Sequence, residues 1–189
     1  MNSLFPTQSK FLAAVLFAVL ALSGSLAQAW TWTPNSQEEA IANFLKSDPN
    51  QRRPELVFDP ILAEVARARA ADMAARGYWS HVTPDGVAAN YLISHAGYSL
   101  PQYWSTLAGS GSQNYVESIG EGWATPQDVW NAWMNSPDHK THLLGLDDQH
   151  FYMTETRYGI GYVNAPGSQD GTYWVVITAP PADVYIKEP

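Results

Sequence analysis

Residues 115–144 read YVESIGEGWATPQDVWNAWMNSPDHKTHLL, and the order of side chains in this stretch predicts both a helix and a site. Glu117 and Glu121 come first, a Trp-rich amphipathic segment follows, and a Ser-Pro-Asp-His turn then presents His139. A second histidine, His81, lies upstream in the segment WSHVTPDG. The two histidines and a carboxylate each lie at the edge of an expected ordered element, so they can meet in one site.

The helices around this stretch have clear start and stop signals. Asp59 as N-cap, Pro60 at the first helical position and Gly77 at the end predict a long helix between them. Comparable signals predict four further helical segments: one that Ser36 caps, a short one over 87–95, one that starts at Thr125-Pro126, and a continuation that Ser136-Pro137 caps and Gly145 closes.

Two β-rich segments near the end of the chain predict a hairpin. Residues 158–163 and 172–178 are rich in Val, Ile, Tyr and Thr, and the turn-rich residues 164–171 join them. Helices come first and strands last, without βαβ alternation. The sequence therefore predicts an α+β fold in which helices cover a small antiparallel sheet.

The composition limits the classes of function. The 189 residues include no Cys and carry a formal net charge of −8. The core must therefore hold without disulfides, and a chain this acidic is not expected to bind nucleic acid through charge. Arg67, Arg69 and Arg76 share one expected helix and are interpreted as a solvated face. Trp123, Trp130 and Trp133 are expected in the core.

The first residues of the chain predict an export signal. An apolar run over 11–22 follows Lys10, is too short to span a bilayer, and precedes an Ala-Gln-Ala site at 27–29. We therefore expect a signal peptide over 1–29, cleavage near Ala29, and a periplasmic or extracellular protein that meets the membrane only through this transient segment. One domain over 30–180 and a short tail over 181–189 would follow.

Taken in order, the motifs resemble those of the CAP superfamily, also called the SCP-like extracellular domain, and its bacterial branch most closely. The resemblance covers about residues 35–180 and rests on LVFDPILAEVARARAADMAARG, WSHVTPDG, AGY, ESIG, VWNAWMNSPDHKTHLLG and the pair GIGYV and TYWVVITA. It implies a three-layer α-β-α sandwich with a cleft lined by two histidines and, in many members, two acids. By this resemblance His81 and His139 are the cleft histidines and Glu117 is the first acid.

Two positions depart from the family pattern. Ser118 stands where the family box has Asn, and Ser136 stands where eukaryotic members place the second acid. Glu121 is a candidate replacement for that acid, although a solvated acid at the entry to a helix is the simpler interpretation. His142, one helical turn from His139, is either a further ligand or a core or surface histidine.

The residues leave three kinds of chemistry open. His81, His139 and Glu117 suit Zn²⁺ or another divalent cation with an open fourth position, whereas the same three groups can form a hydrogen-bonded cluster without metal. Ser80 beside His81, or Ser136 near His139, would form a Ser-His-Glu hydrolase with Glu117. No G-x-S-x-G elbow accompanies either serine.

The favoured function is a non-enzymatic exported binding module whose cleft takes a small molecule, a lipid or a cell-envelope component. One alternative is a zinc-assisted hydrolase or protease that uses His81, Glu117 and His139. A second alternative is a scaffold that binds a protein partner through aromatic side chains, with the cleft incidental. We expect a monomer.

Overall fold

Five α-helices and four strands lie in the part of the chain that the computed structural model describes, residues 33–101, 111, 114–147 and 151–182. The helices are α1 (Ser36–Ser47), α2 (Pro60–Arg76), α3 (Ala89–His95), α4 (Pro126–Asn135) and α5 (Pro137–Leu144). The strands are β1 (Val57–Phe58), β2 (Glu117–Glu121), β3 (Arg157–Asn164) and β4 (Thr172–Ala179), and a short 3-10 turn covers Tyr152–Thr154. The expected signal peptide over 1–29 and most of the expected tail lie outside the described residues.

The four strands form one sheet in the order β1-β3-β4-β2. Strands β3 and β4 pair antiparallel along their whole length, which confirms the predicted hairpin. Strand β2 pairs antiparallel with β4, whereas the two-residue β1 pairs parallel with β3, so the sheet is mixed. Neither β1 nor β2 was predicted, because two residues show no periodicity and ESIGE contains mostly poor strand formers.

Helices cover both faces of the sheet, which confirms the three-layer α-β-α sandwich. Alternate residues of β4 belong to two different cores, as the period of a strand requires. Tyr173, Val175 and Ile177 pack with α2 and α3, whereas Trp174 and Val176 pack with α1, α4 and α5. Both faces of β4 are therefore buried, which explains why TYWVVITA is apolar throughout rather than alternating.

Helix α2 lies directly on β3, and two glycines make this close approach possible. A Cβ atom at Gly159 would lie 2.1 Å from the backbone nitrogen of Ala63, and one at Gly161 would lie 2.2 Å from the carbonyl carbon of Ala66. Any side chain at either position would therefore meet helix backbone. The GIG pattern of β3 thus fixes how closely α2 packs on the sheet, and with it the position of the polar side chains that α2 presents.

Most of the predicted helix ends are confirmed. Asp59 accepts hydrogen bonds from the N–H groups of Ile61 and Leu62, and Gly77 ends α2 in the left-handed conformation with φ of 63°. Thr125 caps α4 through the N–H of Asp128.

Three local predictions were wrong. Helix α1 is capped by Asn35 rather than Ser36, because Asn35 and Glu38 form a reciprocal capping box. The short third helix begins at Ala89, two residues later than expected. Trp130 and Trp133 are buried as predicted, but Trp123 is 43% exposed.

We expect Gly161→Ala to destabilise the protein by about 3 kcal/mol, because the new methyl group must displace the backbone of α2 rather than a flexible side chain. Urea unfolding measures the loss. Gly167→Ala is the matched control, since a Cβ atom there meets nothing within 4 Å. Equal effects of the two substitutions would contradict the direct seating of α2 on β3.

Candidate functional site

Arg69 is a buried hydrogen-bonding centre between α2 and β2. Only 2% of the residue is exposed. Its Nε donates to Glu117 Oε1 at 2.8 Å, and its Nη2 donates to Glu117 Oε2 at 3.3 Å and to the carbonyl of Ser80 at 2.7 Å. Its Nη1 donates to the hydroxyl of Tyr78 at 2.5 Å. The expectation that Arg69 belongs to a solvated helix face is therefore wrong, because β2 brings a carboxylate to it.

Glu117 is held at both its backbone and its side chain. Its N–H donates to Asn114 Oδ1 at 3.0 Å, and Asn114 Nδ2 donates back to its carbonyl at 3.0 Å. Its Oε2, already bonded to Arg69, also lies 2.9 Å from Nδ1 of His81. A carboxylate accepts only, so the proton of this bond is on Nδ1 of His81. Nε2 of the neutral ring is then the unprotonated nitrogen.

His139 is oriented by a different partner. It lies in the first turn of α5, and Ser136 Oγ is 2.8 Å from its Nδ1. Ser136 is the residue that joins α4 to α5, but its side chain does not cap the backbone of α5. The predicted side-chain cap was therefore wrong, and Ser136 orients His139 through a direct bond to the ring. The indole of Trp133 lies beside the imidazole, with ring centroids 6.5 Å apart.

The two histidines approach each other at the free edge of the sheet. Glu117 and Ser118 are neighbours on β2, so their side chains point to opposite faces, the first toward α2 and the second toward α5. Because β2 is an edge strand, residues from both faces can meet there. The pKa of His139 is lowered from 6.5, first because the ring is buried and next because His81 and His142 lie close to it.

The structure thus brings four of the predicted residues to one edge of the sheet. Their contacts form two pairs, His81 with Glu117 and His139 with Ser136. In the described part of the chain, neither Nε2 atom has a hydrogen-bond partner. Both rings therefore keep one nitrogen for a ligand, and His139 stays neutral near pH 7 because its pKa is depressed.

His142 belongs to the protein interior and not to the cleft. Its Nδ1 lies 2.7 Å from Ser118 Oγ, and its Nε2 lies 2.8 Å from Thr178 Oγ1. Thr178 in turn donates to Glu155 Oε2 at 2.5 Å. Of the two interpretations of His142, the core histidine is confirmed. Ser118, which departs from the family pattern, is the residue that satisfies one of its nitrogens.

Arg53 closes this internal network, and sequence reasoning missed it. Its Nη1 donates to the carbonyl of Leu143 and its Nη2 to the carbonyl of His142, each at 2.7 Å. Nη2 also pairs with Glu155 at 3.1 Å, and both side chains are fully buried. These bonds satisfy carbonyls at the C-terminal end of α5, where a cation is favoured. The chain offers no local signal for this role, since Arg53 and Glu155 are 102 positions apart.

Glu121 is not part of the cleft. It ends β2 rather than entering a helix, and it lies four residues from Glu117, about 13 Å along a strand. Its carboxyl is next to Asp170 in the loop between β3 and β4. Burial, and then the charge of Asp170, raise the pKa of Glu121 to about 7. Glu121 therefore does not replace the second acid that the family cleft often carries.

The donor set offers two imidazoles but no free carboxylate. Both oxygens of Glu117 are engaged, and the cation of Arg69 lies beside them and would repel a metal ion. Among the described residues, no group of three or more His, Cys, Asp or Glu side chains is arranged to hold a metal. The residues therefore do not fit a three-ligand zinc site, and binding of a divalent cation by the two Nε2 atoms stays a prediction.

The serine-based alternatives are incompletely assembled. Ser136 does pair with His139, but Glu117 contacts His81 instead, so this pair lacks an acid. Ser80 Oγ accepts a hydrogen bond from the N–H of Val82. Ser118, His142 and Glu155 form a Ser-His-acid sequence of contacts, but all three are buried, so no substrate can reach them.

Arg69→Gln should cost about 3–5 kcal/mol of stability, because it leaves the buried carboxylate of Glu117 without its cation. Adding Glu117→Gln should recover much of this loss, since the second change removes the unpaired charge. Arg157→Gln is the control, because its pair with Glu55 is partly exposed and 3.9 Å long. Denaturant unfolding measures all three, and a loss that Glu117→Gln does not reduce would contradict the ion-pair account.

The depressed pKa of His139 should make stability depend on pH. Below the unfolded-state pKa of 6.5, the unfolded chain takes up a proton at this position that the folded chain refuses. Stability is therefore fully present above pH 6.5 and falls as the pH drops from there toward the folded-state pKa. His139→Gln should weaken the dependence of the melting temperature on pH between pH 7.5 and 5.5. An unchanged slope of melting temperature against pH would contradict this assignment.

Comparison with known proteins identifies the family of this chain. The model of the CAP family, described as the cysteine-rich secretory protein family, matches residues 48–178, more than half of the chain. The uncharacterized protein YkwD of Bacillus subtilis (strain 168) is 29% identical over 119 residues, which cover 63% of this chain and 37% of that protein. The match therefore spans little more than a third of that relative.

Two solved structures superpose on this chain, and the first of them has a TM-score above 0.5 and so shares the fold. An outer surface protein from Borrelia burgdorferi superposes with a TM-score of 0.53 at 20% identity, covering 78% of this chain and 96% of that one. An extracellular protein containing a SCP domain from Bacillus anthracis str. Ames gives a TM-score of 0.48 at 20% identity, covering 76% of this chain and 40% of that one. The family model matches more than half of the chain, and the described residues form the α-β-α sandwich. The chain therefore belongs to the CAP family.

Proposed function

We propose that this chain is an exported binding domain without catalytic activity, and that its cleft between His81 and His139 takes a small molecule, a lipid or a component of the cell envelope. One observation carries the proposal. Glu117, the acid that catalysis would need as a base or ligand, has both oxygens engaged by Arg69 and His81. The acid thus orients a histidine instead of acting on a substrate.

The chemistry of the cleft favours an uncharged ligand with hydroxyl or amide groups. A neutral imidazole whose Nδ1–H is bonded, as in His81, presents Nε2 as an acceptor. Trp79, two residues before His81 and 56% exposed, adds an aromatic face next to this segment in the chain. The net charge of −8 disfavours an anionic ligand.

Export is part of the same proposal. No helix among the described residues is long and apolar enough to cross a membrane. The sequence over 1–29 has the features of an export signal, and we infer cleavage near Ala29 and a periplasmic or extracellular monomer.

A zinc-assisted hydrolase or protease remains the second candidate, because two observations favour it. Both rings have their Nδ1 atoms engaged by a neighbouring side chain, as metal-ligating histidines commonly do. His139 is also kept neutral, which a ligand must be. A zinc ion there would have only the Nε2 atoms of His81 and His139 as protein ligands, since both oxygens of Glu117 are engaged.

Thermal unfolding in the presence of candidate ligands tests the proposal. A bound ligand at about 100 times its Kd stabilises by about 2.7 kcal/mol, which is roughly 5–10 °C for a domain of this size. We expect such a shift with an uncharged glycan or lipid headgroup, and we expect His81→Ala and His139→Ala to abolish it. His95→Ala is the matched control, since His95 is exposed and bonds only the carbonyl of Tyr91 among the described residues.

Two outcomes would overturn this proposal. A shift that survives both cleft substitutions would place the ligand elsewhere. Stoichiometric zinc in protein purified without chelator, together with hydrolytic activity lost in His81→Ala and His139→Ala, would favour the second candidate.

A further inference from the structure

Two exposed tryptophans belong to the edge of the sheet that carries the cleft. Trp79 is 56% exposed and Trp123 is 43% exposed, whereas Trp130, Trp133 and Trp174 are buried. Among the described residues, neither exposed indole packs on another ring, and neither indole N–H donates a hydrogen bond. The core therefore does not use these two side chains, although large aromatic rings are favoured in the interior.

The backbone on both sides of Trp79 is fixed to α2. The hydroxyl of Tyr78 accepts from Arg69 Nη1 at 2.5 Å, and the carbonyl of Ser80 accepts from Arg69 Nη2 at 2.7 Å. The same guanidinium donates to Glu117, the first residue of β2. Trp79 is therefore presented from a fixed backbone near the start of β2.

The backbone of Trp123 is fixed at the other end of β2. Its carbonyl accepts from Thr172 Oγ1 and from Trp174 Nε1, each at 2.9 Å. The N–H of the preceding Gly122 donates to the carbonyl of Thr172 at 2.9 Å. Strand β2, about 13 Å from its first to its last residue, therefore separates the two exposed tryptophans.

The cleft histidines lie along the same strand. His81 is bonded to Glu117, at the start of β2, over 2.9 Å. Trp133 donates to the carbonyl of Ile119, in the middle of β2, at 2.9 Å, and its indole lies beside the ring of His139. The edge therefore carries an exposed indole at each end and two imidazoles along its length.

This arrangement matches the chemistry of a chain of sugar rings. A sugar ring has C–H groups on its faces and hydroxyl groups around its rim, so a face can stack on an indole while the rim forms hydrogen bonds. The unprotonated Nε2 of His81 accepts a hydrogen bond from such a hydroxyl. Stacking at both ends with hydrogen bonds between them suits a ligand that repeats the same unit.

Other large partners fit this edge less well. In the described chain, the exposed large apolar side chains here are two single rings at opposite ends of β2. Docking of a protein or a membrane favours a contiguous apolar patch instead. The formal net charge of −8 disfavours an anionic polymer or an anionic membrane surface.

We propose that the edge of β2 binds an extended, uncharged polysaccharide chain. One sugar ring stacks on Trp79, another stacks on Trp123, and the sugars between them form hydrogen bonds with His81 and His139. This inference rests on the proposed function, because it names the ligand class of the same cleft. A ligand that contacts both indoles must span β2, so a single sugar contacts only part of the site.

Calorimetric titration of the full chain with N-acetylglucosamine and with its hexamer tests the inference. We expect the hexamer to bind more tightly, by about tenfold for each indole that the monosaccharide does not reach. Trp79→Ala and Trp123→Ala should each weaken binding of the hexamer about tenfold, because each removes one stacking contact.

Conservative variants and a control separate stacking from damage to the fold. Trp79→Phe and Trp123→Phe should keep most of the affinity, because a phenyl ring preserves a stacking face. Val57→Ala is the matched control, since Val57 is 41% exposed and lies in β1 at the opposite edge of the sheet. It should leave binding of the hexamer unchanged.

The outcomes distinguish this inference from the proposed function. Equal affinities for the two sugars, or no binding of either, would overturn the inference. Binding of the hexamer that His81→Ala and His139→Ala abolish, but that Trp79→Ala and Trp123→Ala leave unchanged, would overturn the inference and support the proposed function. Binding that only the tryptophan substitutions weaken would confirm the stacking and overturn the proposed role of the histidines.

Discussion

The ion pair between Arg69 and Glu117 is the interaction on which the site depends. Taking two charges out of water is costly, and the pair persists only where further hydrogen bonds satisfy the remaining donors and acceptors. Here Tyr78 and the carbonyl of Ser80 accept hydrogen bonds from the guanidinium of Arg69. His81 donates a hydrogen bond to the carboxylate of Glu117. The pair therefore joins α2, the edge strand β2 and the loop that carries His81. It gives β2, which has little strand propensity of its own, a fixed place in the sheet.

Local signals were enough to predict much of the fold. The β3–β4 hairpin and the limits of α2 follow from residues close in sequence, and the order of motifs indicated the family sandwich. What sequence could not show are contacts across long separations. Arg69 meets a carboxylate 48 positions away and Arg53 one that is 102 positions away, so neither role has a local pattern. The same reasoning explains Glu121, whose partner Asp170 comes from a distant loop.

Adjacent residues of β2 serve two separate polar networks. Glu117 points to the α2 face and orients His81, whereas Ser118 points to the α5 face and satisfies His142. Arg53 holds the end of α5 in the second network, and the first turn of α5 carries His139. His81 and His139 are therefore held by two different layers that meet at one edge of the sheet. Glu117 orients His81 and Ser136 orients His139. Because both polar groups are used to orient histidines, the arrangement supports binding over catalysis.

The protonation of the His81 ring tests this account most directly. If Glu117 is an orienting acceptor, the neutral ring must carry its proton on Nδ1. Long-range proton–nitrogen NMR correlations at pH 7.5 should then show His81 protonated at Nδ1 and bare at Nε2. Glu117→Gln, which keeps the size of the side chain but removes its charge, should weaken this preference. A His81 ring protonated at Nε2 in the unsubstituted protein would contradict the claim that Glu117 orients the cleft histidine.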